Sequence, residues 1–370
     1  MSSRFLRPPG SSRSRLWLAA AVVTTGTLIA MGAALAPAGA SPADGQNSAF
    51  VQVNLVSNQP GVAPLTDADL VNAWGLAASP GTDQVPGSPL WVSDNGTDKA
   101  TLYIGTGPAS VAKFQPLPAV SVTGAAPTGQ VFNTDTNPND FVVTDANGHS
   151  GRALFIFDTE NGTIDGWSPG VGVAPGAAPP STVTEVARDN GANAVYKGLA
   201  IAQASDGHTY LYATNFRSGR VEAYDSTFTP VELPGGLFVD PKLPTGYGPF
   251  GIQEIGGQLY VSFAEQDAFL HDDVAGQGNG FVDVFTNDGA FVKRLITRGQ
   301  LNSPWGLALA PDGFGNLGGD LLVGNFGDGS INVYNPNNGA RVGDLRQPNG
   351  RPIVIDGLWG LRFGPVREQG

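Results

Sequence analysis

Five residues, Trp74, Lys197, Phe250, Trp305 and Trp359, each stand directly before a glycine that opens an apolar run. Four are aromatic and one is a cation. Gathered around a common axis, they would form an aromatic collar with a single ammonium. Such a collar can stack on planar or sugar-like ligands and attract cations. The competing role is packing of one repeat on the next, which bulky repeat positions usually serve. Lys197 fits that role least, because a lysine at an inner position is costly unless paired or wet. It is therefore expected to face the axis or a carboxylate.

A second set closes the following strand-like runs: Asp94, Asn95, Asn215 and Asn325, with Glu265 in the least regular repeat. Oxygen donors converging from several repeats suit a hard cation, so Asp94, Asn215, Glu265 and Asn325 are the candidate ligands for one Ca²⁺. Asp and Asn also favour turns by bonding their own backbone, and that reading competes here.

The three histidines, His149, His208 and His271, lie far apart and lack metal-ligand spacing. His208 falls in a hairpin turn. His271 shares a long insert with Glu265, Asp267, Asp272 and Asp273, a cluster that could hold a cation, cap a channel mouth or lie solvated. His149 and Lys197 are the candidate proton carriers if the protein is a catalyst. There is no Gly-x-Ser-x-Gly elbow, phosphate loop, His-Glu-x-x-His helix or EF-hand loop, and without cysteine there is no thiol chemistry.

The elements that must position these residues are short strands. The glycines at 198, 251, 306 and 360 stand 53, 55 and 54 residues apart, and Gly75 precedes Gly198 by 123, about two periods. This period, with several strands per unit, is the mark of a β-propeller. The 52 Gly and 29 Pro punctuate alternating strand patterns and so mark tight turns. Within a unit the glycine phrase leads to a second strand ending in a small or polar pair, then to an alternating third. The second unit shows no such phrase and is placed from Asp140–Val143, Ala153–Phe157 and Gly162–Trp167. The count is five blades plus a sixth begun at 357–363. A six-bladed, all-β propeller with an incomplete last blade is expected over 72–370, after a lead-in at 41–71 that could supply a closing strand at 50–56.

Asn72-x-x-Gly75-Leu76, Pro127-Thr128-Gly129-Gln130-Val131-Phe132-Asn133, Ala153–Phe157 with Gly162-Thr163-Ile164-x-Gly166-Trp167, and Leu358-Trp359-Gly360-Leu361-x-Phe363 together resemble a bacterial family of secreted propeller proteins. The resemblance covers about residues 50–363. It implies a six-bladed, NHL-like propeller and carries no established activity. Members of that family continue past the Trp-Gly-Leu phrase with a Gly-rich turn and a further strand, where this chain reads 364–370.

The N-terminus reads as a secretory signal peptide: Arg4, Arg7, Arg13 and Arg15, an apolar stretch from Leu16 to Ala36, then Ala38-Gly39-Ala40. Cleavage after Ala40 would leave 16 basic against 32 acidic residues, a charge of −16. That argues against nucleic acid as partner. No later run is long enough to span a bilayer. An exported, extracellular monomer is expected, stabilised without disulfides and binding a small molecule, glycan or protein at a channel mouth. A metal-dependent hydrolase or lyase of the lactonase type is the alternative.

Overall fold

The computed structural model describes residues 49–81, 87–107, 110–236 and 238–364, with strand backbone alone at 2–6, 16–20 and 27–32. The expected signal peptide otherwise lies outside the described residues.

Five antiparallel sheets follow one another along the chain. Their first strands, in order, are Ala73–Ala77, Pro127–Phe132, Tyr196–Gln203, Tyr247–Ile255 and Pro304–Leu309. Four sheets have four strands and the first has five. Each is a blade, and packing between neighbouring blades makes the core. Trp91 of blade one, for instance, stacks on Phe155 of blade two at 4.2 Å.

The expected six blades are therefore corrected to five. The last occurrence of the glycine phrase, Leu358–Leu361, is buried but forms no strand. It fills the sector between blades five and one beside Val51–Ser57, which pairs antiparallel with 27–32 and, over two residues, parallel with Leu65–Thr66. Phe50 packs on Phe314 of blade five at 4.6 Å, while Leu55 and Val56 join the cluster around Trp74 of blade one.

The phrase itself has a common structural cause. In every blade the register between first and second strands slips at the phrase, between Ala73 and Leu76, Pro127 and Gln130, Tyr196 and Leu199, Pro249 and Ile252, and Pro304 and Gly306. Such a bulge re-aims a side chain, here that of the residue before the glycine. It also explains why the second unit was misread: its phrase is Thr128-Gly129, with a small polar residue in the bulky place. Glycine is required because the next inner segment passes so close. A Cβ on Gly306 would lie 2.5 Å from the Trp359 carbonyl oxygen, and one on Gly360 2.6 Å from that of Trp74.

The bulge loosens the ladder, and in blades three and four a hydroxyl of the second strand bonds to the freed backbone. Opposite each bulge stand Ser93, Asp158, Thr214, Ser262 and Gly324. The Ser262 hydroxyl accepts the Gly251 amide at 2.9 Å, and Thr214 donates to the Phe250 carbonyl of the next blade at 2.9 Å. This is the polar partner an opened ladder needs.

Candidate functional site

The channel is closed by its own side chains. Trp74 and Trp359 stack with ring centres 3.5 Å apart, Phe326 covers the other face of Trp359 at 3.9 Å, and Trp305 meets both indoles edge-on at 6.2 and 5.9 Å. Phe250 lies 5.6 Å from Trp359 and is fully buried. The five residues of the sequence collar do meet at the axis, as a packed plug and not as an open platform.

Lys197 ends in this plug with 1 % exposure. Its ammonium lies 5.1 Å from the Trp74 ring and pairs with Glu160 and, at 3.4 Å, with Asp272. The Trp305 indole N–H donates to the Lys197 carbonyl from across the channel, at 2.8 Å. Burial would raise the Asp272 carboxyl, but Lys197 and His271 outweigh it and hold the group below its ordinary range.

These residues share one face for a topological reason. The residue two before each phrase glycine pairs with the last residue of the second strand in four blades, Asp94, Thr159, Asn215 and Asn325, and in blade four with Phe263, two residues before that strand ends. The next residues, Asn95, Glu160, Phe216 and Phe326 on the turns and Ala264 still within the longer strand of blade four, stand around the plug. In blade four this turn is the insert 266–280. It is tied down by Gln266, which donates to the Phe216 carbonyl, and by Asp267, whose Oδ1 accepts the amides of Phe269 and His271 at 3.1 and 2.9 Å.

A chain of polar contacts runs from insert to plug. His271 Nδ1 is 2.9 Å from Asp272 Oδ1, Asp272 meets Lys197, and Lys197 meets Glu160. Glu160 Oε2 accepts from Asn95 at 2.9 Å, Asn95 Oδ1 accepts from Asn72 at 2.9 Å, and Asn72 Oδ1 accepts the Trp359 indole N–H at 3.1 Å.

The expected calcium ligands are used differently. Asn215 Oδ1 accepts the amides of Val195 and Ser218 at 3.3 and 3.2 Å, and Asn325 Oδ1 accepts that of Asn302 at 3.1 Å. Both side chains hold their own blade's loops. Asp94 is fully buried, and its Oδ2 accepts the Thr101 amide at 3.0 Å. Burial, reinforced by Asp67 and Asp69, pushes its carboxyl well above the ordinary range. Glu265 lies two residues beyond the equivalent position, which Phe263 occupies.

His149 stands on a hairpin, Val142–Thr144 with Ser150–Arg152, in the connection between the first two strands of blade two. That connection leaves the opposite end of the inner strand from Glu160. The two candidate proton carriers are thus on opposite faces. His149 Nδ1 lies 2.9 Å from Asp145 Oδ2, and this contact holds the Asp145 carboxyl down at about 2. The reading of the sequence passed over Glu160; its signal was its place directly after the second strand, where Asn95 and Phe326 stand in other blades.

No protein-family model matches the chain. Among curated proteins, the uncharacterised protein R648 of Acanthamoeba polyphaga mimivirus is 34 % identical over 315 residues, which is 83 % of this chain and 72 % of that one. This chain belongs to its family. Another member, protein L690 of the same virus, is 33 % identical over 317 residues, 83 % of this chain and 77 % of its own. Among solved structures, a protein of unknown function from Bacteroides caccae is 12 % identical over 86 % of this chain and 95 % of that one, with a TM-score of 0.45. The PQQ-bound aldose sugar dehydrogenase of Streptomyces coelicolor is also 12 % identical, over 78 % and 84 % of the two chains, with a TM-score of 0.41.

Proposed function

We propose that this family member is an exported, NHL-like propeller that binds a ligand (a small molecule, glycan or protein segment) on the face where the blade-four insert meets Lys197. One observation carries the reading. The axis is filled by aromatic rings, so recognition falls to its rim, where a buried ammonium is held between Glu160 and the exposed Asp272. Buried charges are expensive to keep, and this one stands beside a loop with a solvent-exposed Phe269. Calcium held by Asp94, Asn215, Glu265 and Asn325 forms no part of this reading.

The second reading, a metal-dependent hydrolase or lyase, is favoured by the gathering of Glu160, His271 and Asp272 beside Lys197. His149, on the far face, has no place in it.

The test is a thermal-shift screen of the full chain against soluble glycans, organic acids and amines, repeated with Asp272→Lys. Ligands that stabilise the wild type and are lost in the variant support the reading. Ligands that stabilise both equally, and instead respond to His208→Ala on the far face, would refute it.

A further inference from the structure

We propose that a gap in the sheet edge of Val51–Ser57, in the sector between blades five and one, takes up an extended, uncharged segment of a partner polypeptide as an added strand. The site is separate from the Lys197 face and does not depend on a ligand there.

One edge of Val51–Ser57 pairs antiparallel with 27–32. Among the described residues, the other edge is held only at its ends. At the start, Ala49 bridges Arg346 in parallel, and the Phe50 amide donates to the Arg346 carbonyl at 2.8 Å. At the finish, Val56 and Ser57 pair in parallel with Leu65 and Thr66, and the Ser57 carbonyl accepts the Asp67 amide at 2.8 Å. Backbone groups along a strand turn to its two edges alternately, so those of Gln52 and Asn54 face the same edge as the Phe50 amide. Leu55, skipped in the pairing with 27–32, is a bulge that resets the alternation and returns Ser57 to this edge. Among the described residues, neither Gln52 nor Asn54 has a backbone partner there. The stretch 51–54, about 13 Å at a rise of about 3.3 Å per residue, is left without a ladder.

A groove of about 520 Å³ lies along this stretch, lined by 50–54, Val62, Gln347 and Pro348. None of these residues carries a charge, and 51–54 hold neither a lysine nor a proline of the kind that blunts an open edge. Asn54 adds an acceptor: its Nδ2 donates to the Val62 carbonyl at 3.2 Å, while its Oδ1 is buried without a partner. A row of backbone donors and acceptors beside apolar side chains is what recognises extended peptides by strand addition. The same features choose the occupant. The chain's own 365–370 would bring Arg367 and Glu368 into an uncharged groove. A second copy would offer the same gap, hemmed in at both ends by Arg346 and Leu65, and two recessed edges do not meet. A thin, uncharged, extended segment of another protein fits.

The experiment is titration of the full chain with the uncharged pentapeptide acetyl-Val-Thr-Val-Thr-Val-amide, followed by calorimetry and amide hydrogen exchange. One peptide per chain is expected, and at saturation the Gln52 and Asn54 amides should exchange about tenfold more slowly. The same peptide with proline at its centre lacks a ladder donor and should bind about tenfold more weakly or worse. Val62→Arg, at an exposed position on the groove wall, should weaken binding about tenfold by bringing an unpaired charge to the apolar side. Asp272→Lys, which disturbs the Lys197 face, should leave peptide affinity as it is. Absence of saturable binding below millimolar peptide would overturn the proposal. So would equal binding of the proline peptide or unchanged affinity in Val62→Arg. Loss of binding in Asp272→Lys would move the peptide to the Lys197 face. Binding seen only after removal of 365–370 would give the groove to the chain's own tail, and a dimer of the chain dispersed by the peptide would give it to a second copy. Each of these three outcomes also overturns the proposal.

Discussion

The indole of Trp359 lies face to face with that of Trp74, ring centres 3.5 Å apart, although 285 residues separate them in the chain. This stack joins the last inner segment to the first blade. Trp359→Leu removes the stack on Trp74, the stack on Phe326 and the bond to Asn72. It should cost about 3 kcal/mol, as for large-to-small changes in a packed core. Urea unfolding followed by far-UV circular dichroism measures it, and a loss below about 1 kcal/mol would show that the seam is held elsewhere.

Lys197→Met leaves Glu160 facing aromatic rings with its main counter-charge gone. Breaking a buried pair from one side costs about 3 kcal/mol. The double variant Lys197→Met with Glu160→Gln removes both charges and should recover part of that loss. If it is no more stable than the single variant, the ion pair is not the source of the cost.

Two glycine substitutions should behave oppositely. Gly360→Ala drives a methyl to 2.6 Å from the Trp74 carbonyl oxygen, a backbone atom that cannot step aside. A loss of about 1–3 kcal/mol or more is expected. Gly343, in the outermost strand of blade five, meets nothing within 4 Å. Gly343→Ala should be neutral or stabilising by a few tenths of a kcal/mol, up to about 1. Comparable melting temperatures for the two variants would contradict the close-passage account.

Asp158 stands where Ser93, Thr214 and Ser262 stand in other blades. It is fully buried, and burial raises its carboxyl to about 7. A folded-state value above the unfolded 3.8 means that the folded protein keeps a proton the unfolded chain has lost. Stability from this group is greatest at low pH and falls as pH rises from about 4 to 7. Asp158→Thr should remove that slope. Relative to wild type it should gain on the order of 2–4 kcal/mol between pH 4 and pH 8. Urea midpoints across that range give the answer, and a constant difference would show that Asp158 is charged throughout.

How much of this was legible in the sequence depended on what each residue answers to. The bulky-Gly phrase was visible because it recurs, and it marked the inner strands correctly. Counting phrases overstated the blades, since Leu358–Leu361 keeps the phrase without the ladder. Thr128-Gly129 escaped notice because the bulge constrains the glycine far more than its neighbour. Asn215 and Asn325 looked like cation ligands, yet their oxygens accept backbone amides, a role that composition cannot separate from coordination. Glu160 and Asp272 could not be paired from spacing, because the insert that unites them crosses between blades.

Six close passages at the inner glycines are matched by only five blades among the described residues. Among the described residues the remaining sector is joined by ring stacking, by the pairing of Val51–Ser57 with 27–32 and by scattered bridges, and Leu358–Leu361 itself enters no ladder. Elasticity is therefore unevenly distributed around the circumference. Under thermal agitation the molecule should part first at Leu358–Phe363, like a ring with a cut, while every sheet stays intact. Amide protons in that sector would then exchange ahead of all five, and a body able to flex there can widen or tighten its Lys197 face without unfolding a blade.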